Sequence, residues 1–126
     1  FSKDKAVKAL KKGQVVFCAG GTGHPFFSTD TGVVLRALEL ECKEILLAKA
    51  IDGVYDKDPK KFPDAKKYEC LSIDEVVEKK LQVIDLSASI LCLENRLPLS
   101  VFSLEEEDGI AKALLGEHRG TRVTAD

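Results

Sequence analysis

Methionine and tryptophan are absent from this 126-residue chain, and histidine occurs only twice. His24 and His118 lie far apart, and the four cysteines form no Cys-x-x-Cys pair, so no zinc-ligand spacing is present and no resident metal site is expected. A basic excess is also lacking: 19 Lys and Arg face 21 Asp and Glu, giving a net charge of −2. That balance argues against a nucleic-acid partner, which normally leaves a positive footprint. No apolar run approaches the ~20 residues that cross a bilayer, and no charged-then-apolar leader opens the chain. Neither membrane insertion nor secretion is expected; a cytoplasmic location is. Cys18, Cys42, Cys70 and Cys92 fit that compartment. Three of them sit in apolar surroundings that read as strand or helix, which predicts buried, reduced thiols.

What is present is a globular composition, 44% hydrophobic and 32% charged, with no internal repeat and no low-complexity stretch. The chain enters in a helix. Phe1, Ala6, Val7 and Leu10 share one face, and Lys3, Lys5, Lys8, Lys11 and Lys12 form a solvated remainder. With no initiating methionine at Phe1, the expectation is that an amino-terminal portion of a longer protein precedes this piece. Gly13 ends the helix. Gln14 to Ala19 reads as a strand buried on both faces. Gly20 to Phe27 is a glycine-rich loop, followed by four capable helix caps, Ser28, Thr29, Asp30 and Thr31. A helix through Leu40 and a strand over 44–49 complete a βαβ unit with two parallel strands.

A polar loop runs from Asp52-Gly53 past Asp58-Pro59 to about Lys67. Tyr68 to Leu71 reads as a short edge strand. Ser72 and Glu75 fit a capping box. Asp85 to Arg96 is a helix with Leu86, Ile90, Leu93 and Leu97 as its stripe, and Pro98 stops it. Leu99 to Phe102 is a buried strand, and Asp108 to Leu115 a last helix. The alternation predicts an α/β fold with a largely parallel sheet and flanking helices.

In such sheets, ligands bind where strands give way to helices at their carboxyl ends. Two loops occupy that position. In the first, Gly20, Gly21 and Gly23 permit close approach of the backbone to a ligand. The helix start behind them favours an anion. Thr22, Ser28 and Thr29 add hydroxyls. Phe26 and Phe27 offer a flat surface for a base, or else plug the core. The loop is neither G-x-x-x-x-G-K-[ST] nor the dinucleotide fingerprint, and a plain strand-to-helix turn stays open on these residues alone. In the second loop, Tyr55 can stack on a purine, Asp58 can accept from a ribose, and Lys49 can neutralise phosphate. A solvated turn with a half-buried Tyr55 is the other option.

At these two loops the sequence resembles one family. Gly21-Thr22-Gly23-His24-Pro25-Phe26-Phe27-Ser28-Thr29-Asp30-Thr31 is similar to the UMP-binding signature of bacterial UMP kinases. Ile51 to Tyr55 with Asp58-Pro59 is similar to their ATP-binding segment. Further matches run through Tyr68-Glu69, Leu81 to Leu86, Leu97-Pro98-Leu99 and Val101-Phe102, and on to Leu115-Gly116-Glu117 and Gly120-Thr121, so the likeness covers nearly the whole chain. The resemblance implies the carboxy-terminal, nucleotide-binding half of an amino-acid-kinase (carbamate-kinase-like) fold over residues 1–126. It implies ATP and UMP giving ADP and UDP with Mg²⁺, in pyrimidine nucleotide synthesis. It further implies a homohexamer activated by GTP and inhibited by UTP.

Carried over residue by residue, Thr22, Gly23, His24, Pro25, Phe26, Phe27, Ser28 and Thr29 take the place of the UMP-contacting stretch. Tyr55 and Asp58 fall on ATP contacts. Lys49, beside Ala50, falls where the family places a further one. Asp30 matches an aspartate that orients catalytic groups, and capping the helix is its plainer task. His24 replaces the family's usual asparagine, and an imidazole can change charge in the physiological range, which would make UMP binding pH-sensitive. The family's lysine-containing phosphate loop has no counterpart here. Two other readings use the same loops: a non-catalytic nucleotide-binding regulatory domain, and a plain structural α/β domain.

Overall fold

The structure, a computed structural model, describes residues 1–125. Its elements in chain order are α1 (Lys3–Lys11), α2 (Thr29–Glu39), β1 (Ile45–Lys49), β2 (Cys70–Ser72), α3 (Ile73–Glu78), α4 (Leu86–Asn95), β3 (Leu99–Ser103), α5 (Gly109–Leu114) and β4 (Thr121–Thr124). The strands form one sheet in the order β1-β3-β4-β2. β1 runs parallel to β3 and β2 parallel to β4, while β3 and β4 are antiparallel. The expected α/β fold with a mostly parallel sheet and flanking helices is what the chain adopts.

Strand alternation divides the sheet into two faces. Ile45, Leu99, Val101, Val123 and Leu71 join Val34 and Ala37 of α2, Ile73 and Val76 of α3, and Ala88 and Cys92 of α4 in one buried core. The alternate residues Leu46, Ser100 and Arg122, which pair across the sheet, line a cleft together with Ala113 of α5. β3 is the centre of both faces, and its first four residues are buried.

Gln14 to Ala19 is not a strand among the described residues. The segment carries no ladder, and Val15 and Phe17 are 80% and 92% exposed. Its apolar, β-branched composition satisfies only half of what a strand needs, because backbone N–H and C=O groups also require a neighbouring strand, and none lies beside it here. The first βαβ unit expected from the sequence is therefore absent. The parallel pairs are instead β1 with β3, connected through β2, α3 and α4, and β2 with β4.

Other boundaries moved for local reasons. Only Cys92 is a buried cysteine; Cys18, Cys42 and Cys70 are exposed, since they lie on the unpaired segment, in a turn and on an edge strand. Burial raises the Cys92 thiol to about 11. The stripe of α4 runs through Ala88, Ser89 and Cys92, and Leu86 stands 68% exposed. Small residues lie inward because α2 and α3 both pack against α4. Ser72 caps α3 through Glu75 N–H, whereas the Glu75 carboxylate turns to Lys79 instead of closing the box. β4 had no reading as a strand; four residues of threonine, arginine and valine carry too little pattern to announce one.

Candidate nucleotide site

The glycine-rich loop leads into α2. Gly20, Gly21 and Gly23 adopt φ of +89°, +61° and +73°, the left-handed region where a side chain costs about 1 kcal/mol or more. Thr22 Oγ1 accepts from the His24 N–H at 3.0 Å, folding the loop tip on itself. Phe26 and Phe27 do not plug the core: both are exposed, Phe26 fully and with φ of +71°. Gly32, in the first turn of α2, was not singled out from the sequence. A Cβ there would stand 3.1 Å from the Gly21 backbone, so Gly32 lets the helix abut the loop.

Ser28, not Asp30, caps α2, its Oγ accepting from the Thr31 N–H at 3.4 Å. The first backbone bond of the helix is Gly32 N–H to Ser28 O. The Thr29 and Asp30 amides therefore precede the helix ladder, at its positive end.

Asp30 has another task. Its Oδ2 accepts the Asp85 N–H at 3.3 Å and lies 3.9 Å from Lys49 Nζ. Lys49, the last residue of β1, also donates to the Val83 carbonyl at 2.5 Å. Asp85 completes the cluster. It caps α4 through the Ala88 N–H at 2.9 Å and accepts from the hydroxyls of Ser28 and Thr31. Burial works to raise the Asp85 pKa. The hydrogen bonds from Ser28, Ala88 and Thr31, with the Lys49 charge, outweigh it and hold the value below the ordinary 3.8. The starts of α2 and α4 are thus cross-braced around two carboxylates and one ammonium. Asp85 escaped notice because aspartate at the head of a helix reads as a cap, which it also is.

The second loop forms a cleft of about 1070 Å³, lined by Lys49, Tyr55, Asp58, Lys60, Lys80 and Ser103 among others. Tyr55 donates its hydroxyl to Asp52 at 2.8 Å. That bond lowers the Asp52 pKa, aided by Lys67, and raises that of Tyr55. Asp58 accepts from the Lys60 N–H at 2.9 Å, shaping a tight turn. The loop is pinned to the sheet by Thr121, wholly buried, whose Oγ1 accepts the Val54 N–H at 2.9 Å and donates to the Tyr68 carbonyl at 2.5 Å.

Lys49, Tyr55 and Asp58 therefore share one cleft. The residues Thr22 to Thr29 lie outside it, and the two regions meet at the Lys49–Asp30 pair. A glycine loop and helix start beside a cationic cleft that opens at the carboxyl end of β1 suit a phosphate-bearing pair of ligands.

The chain belongs to the amino acid kinase family, whose model matches residues 1–103. It is 48% identical over 123 residues to the uridylate kinase of Psychrobacter sp. (strain PRwf-1), a match spanning 98% of this chain and 51% of that relative. Among solved structures it resembles the UMP kinase of Bacillus anthracis, with a TM-score of 0.93 and 38% identity over the whole of this chain and 52% of the other. The uridylate kinase of Archaeoglobus fulgidus is similar at a TM-score of 0.76 and 32% identity, covering 95% of this chain and 57% of the other. The chain spans about half the length of these relatives.

Proposed function

We propose that this chain acts in phosphoryl transfer from ATP to UMP, giving ADP and UDP, as the carboxy-terminal half of a uridylate kinase. The observation that carries the reading is the Lys49–Asp30 pair, which joins the acceptor loop to the donor cleft. An oxygen of the UMP phosphate attacks the ATP γ-phosphorus, and the bond to the bridging oxygen of ADP breaks. Thr22 through Thr29 hold UMP, with the Ser28 and Thr29 hydroxyls and the α2 amides toward its phosphate. Tyr55 stacks on adenine, Asp58 accepts from the ribose, and Lys49 faces the transferring group. Asp30 orients Lys49 and Asp85 orients Asp30. Catalysis of this kind rests on positioning and charge.

Mg²⁺ is bound elsewhere through one or two carboxylates together with substrate phosphates. Asp30 is the carboxylate at the meeting point of the two loops that would hold it, since both oxygens of Asp85 already accept hydrogen bonds from Ser28, Thr31 and Ala88. The ion would supply charge neutralisation on the phosphates.

The same reading extends to pyrimidine nucleotide synthesis in the cytoplasm, a homohexameric kinase, and GTP and UTP as effectors. Among the described residues no helix is long and apolar enough to cross a membrane. Transfer also calls for several cations around the γ-phosphate, and the acceptor loop, residues 20–31, carries no lysine or arginine. Residues 1–126 by themselves accordingly bind nucleotide without turning it over. Calorimetric titration with ATP and with UMP, followed by a UDP-formation assay, tests both statements. Binding of neither nucleotide would overturn the kinase reading; rapid UDP formation by this piece would overturn only its inactivity.

A further inference from the structure

On the sheet face opposite the main core, a second cleft of about 530 Å³ opens between α5 and the β3–β4 pair. It lies apart from the Lys49 cleft. Arg119, Arg122, Lys67 and His118 line it, with Glu44 and Glu69 on the same walls, and Lys67 is itself paired with Asp52 at 3.6 Å. Six ion pairs form among the described residues, and neither arginine takes part in any of them. Arg122 projects on the same face as Ser100 and Leu46, its sheet neighbours. His118 Nδ1 accepts the Gly120 N–H at 3.0 Å, which puts the proton of the neutral ring on Nε2 as a donor. Its ring stands 5.8 Å from that of Phe102, the two planes tilted by 35°. Lys67 is held at the mouth by the Arg119 carbonyl at 2.9 Å.

We propose that this cleft binds the phosphoryl group of a small soluble phosphate ester, with Arg119 and Arg122 as its principal ligands. Guanidinium forks match phosphate oxygens two at a time, Lys67 and His118 add single donors, and the cleft is roomy enough for a mononucleotide-sized body against Leu46 and Ala113. Glu44, Lys67 and Glu69 share the walls with the exposed Leu114, and this charged set favours a soluble ester over a lipid headgroup.

The test is proton NMR of the two histidines and two tyrosines during titration with inorganic phosphate, against sodium chloride at matched ionic strength. The expected result is a saturable shift of the His118 ring signals, weakened about tenfold or more in Arg119→Gln/Arg122→Gln, the loss of a charge-assisted contact or two. The unliganded spectrum reports whether the variant is folded; should it not be, Arg119→Gln alone, in a loop, takes its place and must still weaken the shift. An unmoved His118, or a shift confined to Tyr55 at the other cleft, would overturn the proposal. Because the readout is His118, its failure leaves the kinase reading untouched.

Discussion

Lys49 Nζ stands 3.9 Å from Asp30 Oδ2, although 18 residues, most of α2 among them, separate the two in the chain. This pair is the seam between the proposed acceptor loop and the proposed donor cleft. Replacing Lys49 by Gln or Asp30 by Asn in the complete kinase is expected to lower kcat by roughly 10²–10³-fold, the scale of losing one preorganised charge contact. A UMP-dependent ADP-formation assay measures it. KM for ATP should move far less than kcat, since Lys49 is assigned to the transferring group.

Tyr55 separates stacking from hydrogen bonding. Tyr55→Ala should weaken ATP binding by about tenfold, the loss of one base–aromatic stack. Tyr55→Phe removes the bond to Asp52 but keeps the ring, and should bind ATP nearly as well. Titration calorimetry with both variants checks this; equal losses would move adenine away from Tyr55.

The hydroxyl of Thr121 serves two backbone groups in a buried setting. Thr121→Val leaves the Val54 N–H and the Tyr68 carbonyl short of a partner. A loss of about 1–3 kcal/mol is expected in urea unfolding, with Ser restoring most of it.

Asp85 makes stability pH-dependent. Its folded pKa lies below the ordinary 3.8, so its contribution is complete above that value and disappears as pH falls through it and lower. Asp85→Asn should lower the thermal midpoint at pH 7 and flatten the decline between pH 5 and the acid limit. A parallel acid limb in both proteins would contradict the assigned network.

Phe17 provides a test of the fold itself. At 92% exposure, Phe17→Ser should change stability by no more than about 0.5 kcal/mol. The buried strand suggested by the sequence would have cost about 3–5 kcal/mol on losing that ring. Denaturant unfolding distinguishes the two without ambiguity.

Local chemistry made much of this molecule legible beforehand. Gly13, Ser72 and Pro98 mark helix boundaries through effects confined to a few residues, and the structure keeps each of them; at the start of α2 four residues could cap, and the structure selects Ser28. The runs at 45–49 and 99–103 are the continuous apolar stretches that strands favour, buried through most of β3 and partly buried in β1. The loops around Gly21 and Tyr55 announced themselves by glycine spacing and punctuation. What could not be seen required knowledge of partners. Gln14 to Ala19 has strand composition but no neighbour. Asp85 reads as a cap, and only tertiary structure brings Ser28, Thr31 and Asp30 to it. Gly32 matters through the backbone of Gly21, eleven residues away.

The two sides of the candidate site rest on unequal foundations. The Tyr55 loop hangs from Thr121, a residue locked into the middle of a four-stranded sheet, so its shape is underwritten by the whole core. The glycine loop follows a stretch that carries no ladder, so from upstream it receives no lateral bracing. The donor side is consequently a standing structure, while the acceptor side takes its precision from α2 and from whatever surface comes to lie along residues 14–19.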